Sequence, residues 1–544
     1  MRLSLFVVSC LMAVASAAQK ARVITVTYSN TRQPVVEPSQ IDGMKITVRN
    51  GSVKIKDWRT NPSDLVFTLR GESDDGQFVL NTEAKTNILL DGLALTSKEG
   101  APIHLKNKKK AVVSAKPGTE NTLTIQNCQD TARHKASVLW AKTDLLLCGK
   151  GTLHILAAGN GCKGIVTKGD LTIKDLKLSV QTTGDNLGVD TTRQMGFGGP
   201  PPYFDPDSIP EEVKARFENM PDDMKAHFEN MRKHFEKMAA DGQLPGQGGA
   251  NGMAPLSHFQ GPAGGMPPGK QKYISTCKGI KAKGTVTILS GQISVSTSSP
   301  GAEGIEGKQG IVISGGNIDV CATDDAINSG GQILFSGGRT QAISTTNDAV
   351  DSNYGGGMFR PTAPLLEAEL TQKTATAKTT AENKATKKGK ATEKNKKPAT
   401  AKEPTTAKGE AREPAIIISG GEVLAWSQNG PPEEGLDCDF SPIQISGGTV
   451  FTIGACMGET PSVPTQETAK QPTALLSGLN IKQNTPILLS DSKGKTLCQF
   501  VVPFSFEHSY SLLSHPSFRL GAAYTVRCGS ESRSFTLSGH FTHH

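Results

Sequence analysis

The sequence predicts an all-β protein: a right-handed parallel β-helix with turns of about 24 residues, two insertions and a small C-terminal β cap. Three observations lead there. Glycine supplies 58 of 544 residues and proline 31, while aromatic residues make up only 5%, a composition unlike that of a compact aromatic-rich α/β core. A four-residue unit recurs: any residue, then Gly or Ala, then an aliphatic, then a mostly polar residue. Its copies are Lys163-Gly164-Ile165-Val166, Leu187-Gly188-Val189-Asp190, Lys278-Gly279-Ile280-Lys281, Glu303-Gly304-Ile305-Glu306, Asp325-Ala326-Ile327-Asn328, Asp348-Ala349-Val350-Asp351 and Glu434-Gly435-Leu436-Asp437. The aliphatic positions are 24, 91, 25, 22, 23 and 86 residues apart, so two intervals carry insertions. Third, short alternating segments such as Ile311-Val312-Ile313 and Ile318-Asp319-Val320 are joined by Ser-Gly-Gly at 314–316, with the same turn at 336–338, 419–421 and 446–448. Period-2 strands cut by glycine corners at a fixed spacing suit stacked strands, and parallel crossovers are nearly always right-handed.

The elements follow in chain order. Arg2, the apolar run from Leu3 to Val14 and the small residues Ala15 to Ala18 read as a secretory signal over residues 1–18, which predicts export to the periplasm, cell surface or exterior. Residues 19–193 form the N-terminal cap and first turns, with strand-like runs at 88–95 and 145–153. Residues 194–272 are a Gly/Pro-bounded insertion in which Val213, Phe217, Met220, Met224, Phe228, Met231, Phe235 and Met238 make one apolar helical stripe. That stripe, near 210–240, is a candidate face for a protein partner. Residues 273–360 hold the most regular repeats, 361–412 a disordered Lys/Ala/Thr-rich insertion, 413–480 the last turns, and 481–544 a C-terminal β cap or module.

Charge and cysteines exclude several classes. The net charge is +8, but residues 361–412 hold 12 Lys+Arg against 6 Glu, so a basic binding face and a nucleic-acid partner are not expected. No later stretch has the apolar length of a transmembrane segment. The cysteines are scattered without CxxC pairs or zinc spacing, and only Cys498 and Cys528 suggest a disulfide. No EF-hand loop, nucleophile elbow, phosphate loop or HExxH occurs.

Stacking the repeat builds side-chain columns about 4.8 Å per step. The first positions give Lys278, Glu303, Asp325, Asp348 and Glu434; the fourth, expected to point outward, give Lys281, Glu306, Asn328, Asp351 and Asp437. Asp324 and Glu433 add carboxylates beside them. Stacked acids repel unless they shift pKa, splay into water or share a cation. Hard oxygen donors select Ca²⁺, with Glu303, Asp324, Asp325, Asp348, Asp351 and Glu434 as candidate ligands. Lys278 and Lys281 can also neutralise Glu303 and Glu306 as ordinary ion pairs, and turns favour Asp and Asn in any case.

The exported leader, the segment from Leu65 to Gly71 leading to Leu89-Leu90-Asp91-Gly92-Leu93, the Asp-Asp-Ala-Ile-Asn and Asn-Asp-Ala-Val-Asp units and the Ser-Gly-Gly turns resemble the bacterial carbohydrate-binding domain-containing family of parallel β-helices. The likeness covers roughly residues 60–190, 273–353 and 413–456. It implies a pectate-lyase-like shape, calcium at the turns, and binding of plant-type or acidic polysaccharide, uronate-containing polymers included. The family's first-position acids carry over to Asp325, Asp348, Glu303 and Glu434, whereas Lys163, Leu187 and Lys278 break the pattern.

Three functional classes stay open. A non-catalytic glycan-binding protein leads; Trp426, Tyr354 and Arg339 are its candidate ligand-binding residues, with Trp58 and Trp140 as further exposed-ring candidates. A calcium-dependent polysaccharide lyase needs a base, and Arg339 is the one available between acidic units. An adhesin or scaffold would use the protein as a rigid spacer.

Overall fold

Alternating buried and exposed residues set the strands, and long-range parallel pairing sets their order. The computed structural model describes residues 22–59, 64–127, 135–189, 273–354, 413–438, 441–456 and 461–544. The leader, the apolar stripe at 213–238 and the Lys-rich segment 361–412 lie outside the described residues. The chain divides into two units, Met1–Leu187 with Ser275–His544, and Gly188–Ile274, the second almost wholly outside the described residues. All described regular structure is β, and among the described residues no helix is long and apolar enough to cross a membrane.

Two parallel ladders and a third sheet organise the first unit. The first ladder runs from Thr86–Ser97 through Ala111–Ala115, Leu145–Gly149, Leu171–Lys174, Thr285–Ile288 and Gly310–Ile313 to Ile333–Ser344. The second starts on the same Thr86–Ser97 and runs through Glu120–Ile125, Thr152–Ala157, Leu176–Thr182, Gly291–Thr297 and Asn317–Ala322 to the same Ile333–Ser344.

This closure corrects the fold that the repeat predicts. Twelve parallel strands pair in a closed ring, a β-barrel in its connectivity, rather than as a right-handed parallel β-helix. The physical reason lies in the Ser-Gly-Gly segments. Ser336-Gly337-Gly338 does not end a strand; it is a register shift inside the continuous strand Ile333–Ser344. Gly338, Gly421 and Gly448 take φ of 77°, 82° and 87°, a region open to glycine, so the chain bulges without breaking. A strand that passes through its bulge belongs to both ladders and joins them.

The third sheet has eleven strands, from the hairpin Met44–Arg49/Ser52–Asp57 through Gln77–Asn81, Ile103–Leu105, Ser137–Ala141 and Lys163–Thr167 to Ile280–Ala282, Ile305–Gly307, Ile327–Ser329, Val350–Ser352 and Leu436–Asp437. Six repeat units lie on it; the unit at 187–190 does not, because Leu187–Val189 belongs to a separate two-stranded sheet with Tyr273–Ser275. Ile165, Ile280, Ile305, Ile327, Val350 and Leu436 stack inward at 0–3% exposure. Each such side chain contributes about 1.5–3 kcal/mol over an exposed one.

The glycine or alanine of the repeat is a matter of space. A Cβ on Gly164, Gly279 or Gly304 would stand 2.4, 2.5 or 2.4 Å from a Cγ of Val180, Val295 or Val320. Those valines are in register, and the next positions in their column are Ala342 and Ala425. There the repeat carries Ala326 and Ala349, so a methyl lost on one strand is supplied by the other.

The C-terminal segment closes the sheet edge. Phe506–Ser514 pairs antiparallel with Ile443–Ile453 and Thr473–Ile481, removing an open parallel edge. A four-stranded sheet of Thr496–Val501, Pro486–Asp491, Ala523–Cys528 and Glu531–Thr536 follows. Cys498 and Cys528 are free thiols on strands separated by Pro486–Asp491, so the suggested disulfide is not formed.

Candidate functional site

The acidic columns form where the repeat predicts them, at one end of the third sheet. Lys281 pairs in register with Glu306, Glu306 with Asn328, Asn328 with Asp351, and Asp351 with Asp437. The first positions are tied by their carbonyls: Gly279, Gly304 and Ala349 donate N–H to the oxygens of Glu303, Asp325 and Glu434 at 3.0–3.1 Å. Hydroxyls fix the approaching turns, Ser344 Oγ donating to the Asp324 carbonyl at 2.8 Å and Ser427 Oγ to that of Asn347 at 2.8 Å. One expectation changes: the fourth position does not simply face solvent, since Glu306 and Asn328 are buried and Lys281 and Asp351 half-buried.

The columns split into a balanced and an unbalanced half. In the balanced half, Lys278 pairs with Glu303 and with Glu306 at 3.1 Å, Lys281 reaches Glu306 at 2.6 Å, and Lys308 also pairs with Glu306. Burial alone would raise the Glu306 carboxyl, but Lys278 and Lys281 outweigh it and hold it at about 2. Burial likewise opposes the charge of Lys278, and Glu303 and Glu306 overcome that and raise its pKa.

In the other half amide and backbone N–H groups hold Asp325, Asp348 and Glu434. The Asn347 amide donates to Asp324 Oδ1 at 2.7 Å and Asp325 Oδ1 at 2.6 Å, and Asn328 to Asp325 Oδ2 at 2.5 Å and Asp351 Oδ2 at 3.0 Å. The Glu434 N–H donates to Asp348 Oδ1 at 2.6 Å, and the Ser462 N–H to Glu434 Oε2 at 2.7 Å. Among the described residues no Lys or Arg pairs with Asp325, Asp348 or Glu434. Burial, followed by the Asp324 charge, raises Asp325 well above the usual carboxylate range. Burial, with Asp437 adding, pushes Asp348 up to about 9 against the pull of the Glu434 N–H. Glu434 is pushed up to about 8, again chiefly by burial.

Carboxyls so placed are stable either protonated or beside a cation. Glu303, Asp324 and Asp325 each bring an oxygen within 4.8 Å of the others. Oxygens on opposite sides of a Ca²⁺ ion at 2.3–2.6 Å stand about 5 Å apart, so this donor set fits one hard cation. Asp348, Asp351 and Glu434 are outside that trio and continue the columns away from it. Burial also raises Glu303, with Lys278 opposing.

The proposed ligand-contact residues are placed elsewhere. Trp426 is 1% exposed in the core, so its ring offers no stacking platform. The half-buried Tyr354 donates its hydroxyl to Glu413 at 2.6 Å. Arg339 lies on the second ladder, away from the acidic columns, ion-paired to Asp319 at 2.9 Å and Glu422 at 3.0 Å. Trp58 is 57% exposed, and Trp140 is half-buried on the outer face of the third sheet. The amides of Asn328, Asn347 and Asn353, the last donating to Asp351 at 2.7 Å, were not singled out as site residues; their signal was an Asn beside or in register with each Asp.

Comparison with known proteins places the chain. A family described as carbohydrate-binding domain-containing protein matches residues 42–195 and 274–456. A carbohydrate-binding domain-containing protein of Acetivibrio thermocellus is 28% identical over 152 residues, 27% of this chain and 50% of that one, so the chain spans half the length of this curated relative. A solved structure, the polysaccharide lyase-like protein from C. thermocellum in a gadolinium derivative, aligns at 19% identity with a TM-score of 0.35, over 60% of this chain and 92% of that one. The family match takes in the acidic columns and well over half of the 544 residues, and the chain therefore belongs to the family of carbohydrate-binding domain-containing proteins.

Proposed function

We propose that this is an exported, non-catalytic carbohydrate-binding protein that uses calcium on its acidic columns to hold acidic polysaccharide. The observation that carries the reading is the run of buried Asp325 and half-buried Asp348 and Glu434, carboxylates that no described cation balances, in a chain of a carbohydrate-binding family. Glu303, Asp324 and Asp325 would hold the ion. Calcium supplies the missing positive charge and accepts further oxygen ligands, among them a uronate carboxylate. Export rests on the leader at residues 1–18. The lyase alternative is weakened because Arg339 is engaged by Asp319 and Glu422 on another sheet.

The test is binding of polygalacturonate to the mature chain at 300 mM NaCl, with millimolar Ca²⁺ or with EDTA. The reading predicts saturable binding strengthened by calcium, a fall in affinity in EDTA and in an Asp325→Asn, Asp348→Asn double variant, and no unsaturated products. Binding indifferent to both chelator and variant refutes the calcium role, and accumulation of unsaturated products refutes the non-catalytic one.

A further inference from the structure

The outer face of the third sheet carries a second ordered set of charges, of the opposite sign. Lys56 is in register with Asn81. Each of the next strands is followed directly by a lysine whose N–H bonds the preceding strand: Lys106 to Leu80, Lys142 to Leu105, Lys168 to Ala141, Lys283 to Thr167 and Lys308 to Ala282, at 2.7–3.1 Å. Six of seven successive positions are therefore lysine, about 4.8 Å apart and spanning about 29 Å. Lys56, Lys142, Lys168, Lys283 and Lys308 are exposed and Lys106 half-buried.

The acids nearby are largely committed. Asp144 Oδ1 accepts the Asp170 N–H at 3.0 Å, and Asp170 Oδ1 the Thr285 N–H at 2.9 Å. Glu306 engages Lys308 at the end of the column. Among the described residues no carboxylate is within ion-pair distance of Lys56, Lys106, Lys142 or Lys283. Burial, then the charges of Lys135 and Lys54, holds Lys106 below its ordinary pKa, as expected where like charges crowd.

Beside the lysines stands an aromatic. Residues two apart on a strand share a face, so Trp140 lies next to Lys142, in register with His104 and Val166. His104 braces the indole edge-on at a centroid distance of 4.8 Å, and Lys135 Nζ lies 6.0 Å from the ring centroid.

We propose that this face is a calcium-independent binding surface for an extended anionic polysaccharide, its carboxylates taken up along the lysine column and one sugar ring packed on Trp140. The inference rests on the carbohydrate reading but not on the calcium site. Charge complementarity names the polymer class, and the straight one-per-strand spacing suits a chain with one carboxylate per sugar unit. Duplex phosphates follow a helical path and do not keep step with a straight column.

The experiment titrates the full chain with polygalacturonate, a neutral galactan and a DNA duplex of matched charge, in EDTA at 50 and 300 mM NaCl. Binding of the uronan alone, weakened at 300 mM, is expected. Lys142→Gln with Lys283→Gln should weaken it by about three- to tenfold and Trp140→Ala by about fivefold. Circular dichroism and melting of each variant separate lost binding from lost fold. Unchanged binding in the lysine variant overturns the proposal, as does DNA binding as tight as the uronan with no effect of Trp140→Ala. No uronan binding in EDTA also overturns it; the carbohydrate reading itself falls only if calcium restores none and the galactan does not bind.

Discussion

Without calcium, the protein should be most stable near pH 4 to 5, below the usual optimum of pH 5–8. Two opposed groups produce this. Glu306 is depressed to about 2, so its contribution, about 3 kcal/mol, is present above its unfolded pKa and lost as pH falls through 2. Asp348 and Glu434 are raised to about 9 and about 8. Their stability is full below the unfolded values near 4 and is lost as pH rises, because the unfolded chain ionises while the folded one holds its protons. At about 1.4 kcal/mol per unit, pH 7 costs about 4 kcal/mol at Asp348 and about 3 at Glu434. Their shared neighbour Asp437 makes the sum a ceiling. Urea midpoints in EDTA from pH 3 to 8 read the profile. Asp348→Asn should flatten the alkaline limb, and millimolar Ca²⁺ should move the optimum to neutral pH. A wild-type midpoint that rises from pH 5 to 7.5 in EDTA would refute the reasoning.

Two further predictions concern packing and pairing. Lys278→Met leaves Glu303 and Glu306 short of their shared cation and should cost about 3–5 kcal/mol at pH 7, with a smaller loss at pH 4 that a pH series of urea midpoints will show. Gly304→Ala should destabilise by about 1–3 kcal/mol, because its Cβ meets Val320 at 2.4 Å; Val320→Ala added to it should recover part of the loss, a coupling that a double-mutant cycle measures.

The repeat made the columns legible before any coordinates: a unit with fixed internal spacing fixes which side chains stack, and Lys281, Glu306, Asn328, Asp351 and Asp437 do so in order. The closed ring was not legible, because Ser-Gly-Gly reads equally as a corner or as a bulge, and only pairing on both sides of Gly338 decides it. Whether Trp426 packs in the core or offers a platform was not legible for a similar reason. Strand alternation gives a residue's face but not what covers it, and the C-terminal sheet buries that ring in a cluster with Phe451 and Phe500. Net charge hid the lysine column altogether: summed over the chain, Lys142 and Lys283 cancel against aspartates that the fold turns toward backbone N–H groups.

The most direct test of the central claim is calorimetric titration of Ca²⁺ into the EDTA-stripped, dialysed chain, wild type against Asp325→Asn, Asp348→Asn. The account predicts saturable uptake with a stabilisation that grows with free calcium, abolished in the variant. Absence of uptake at millimolar Ca²⁺, or uptake undiminished in a folded variant, would contradict it.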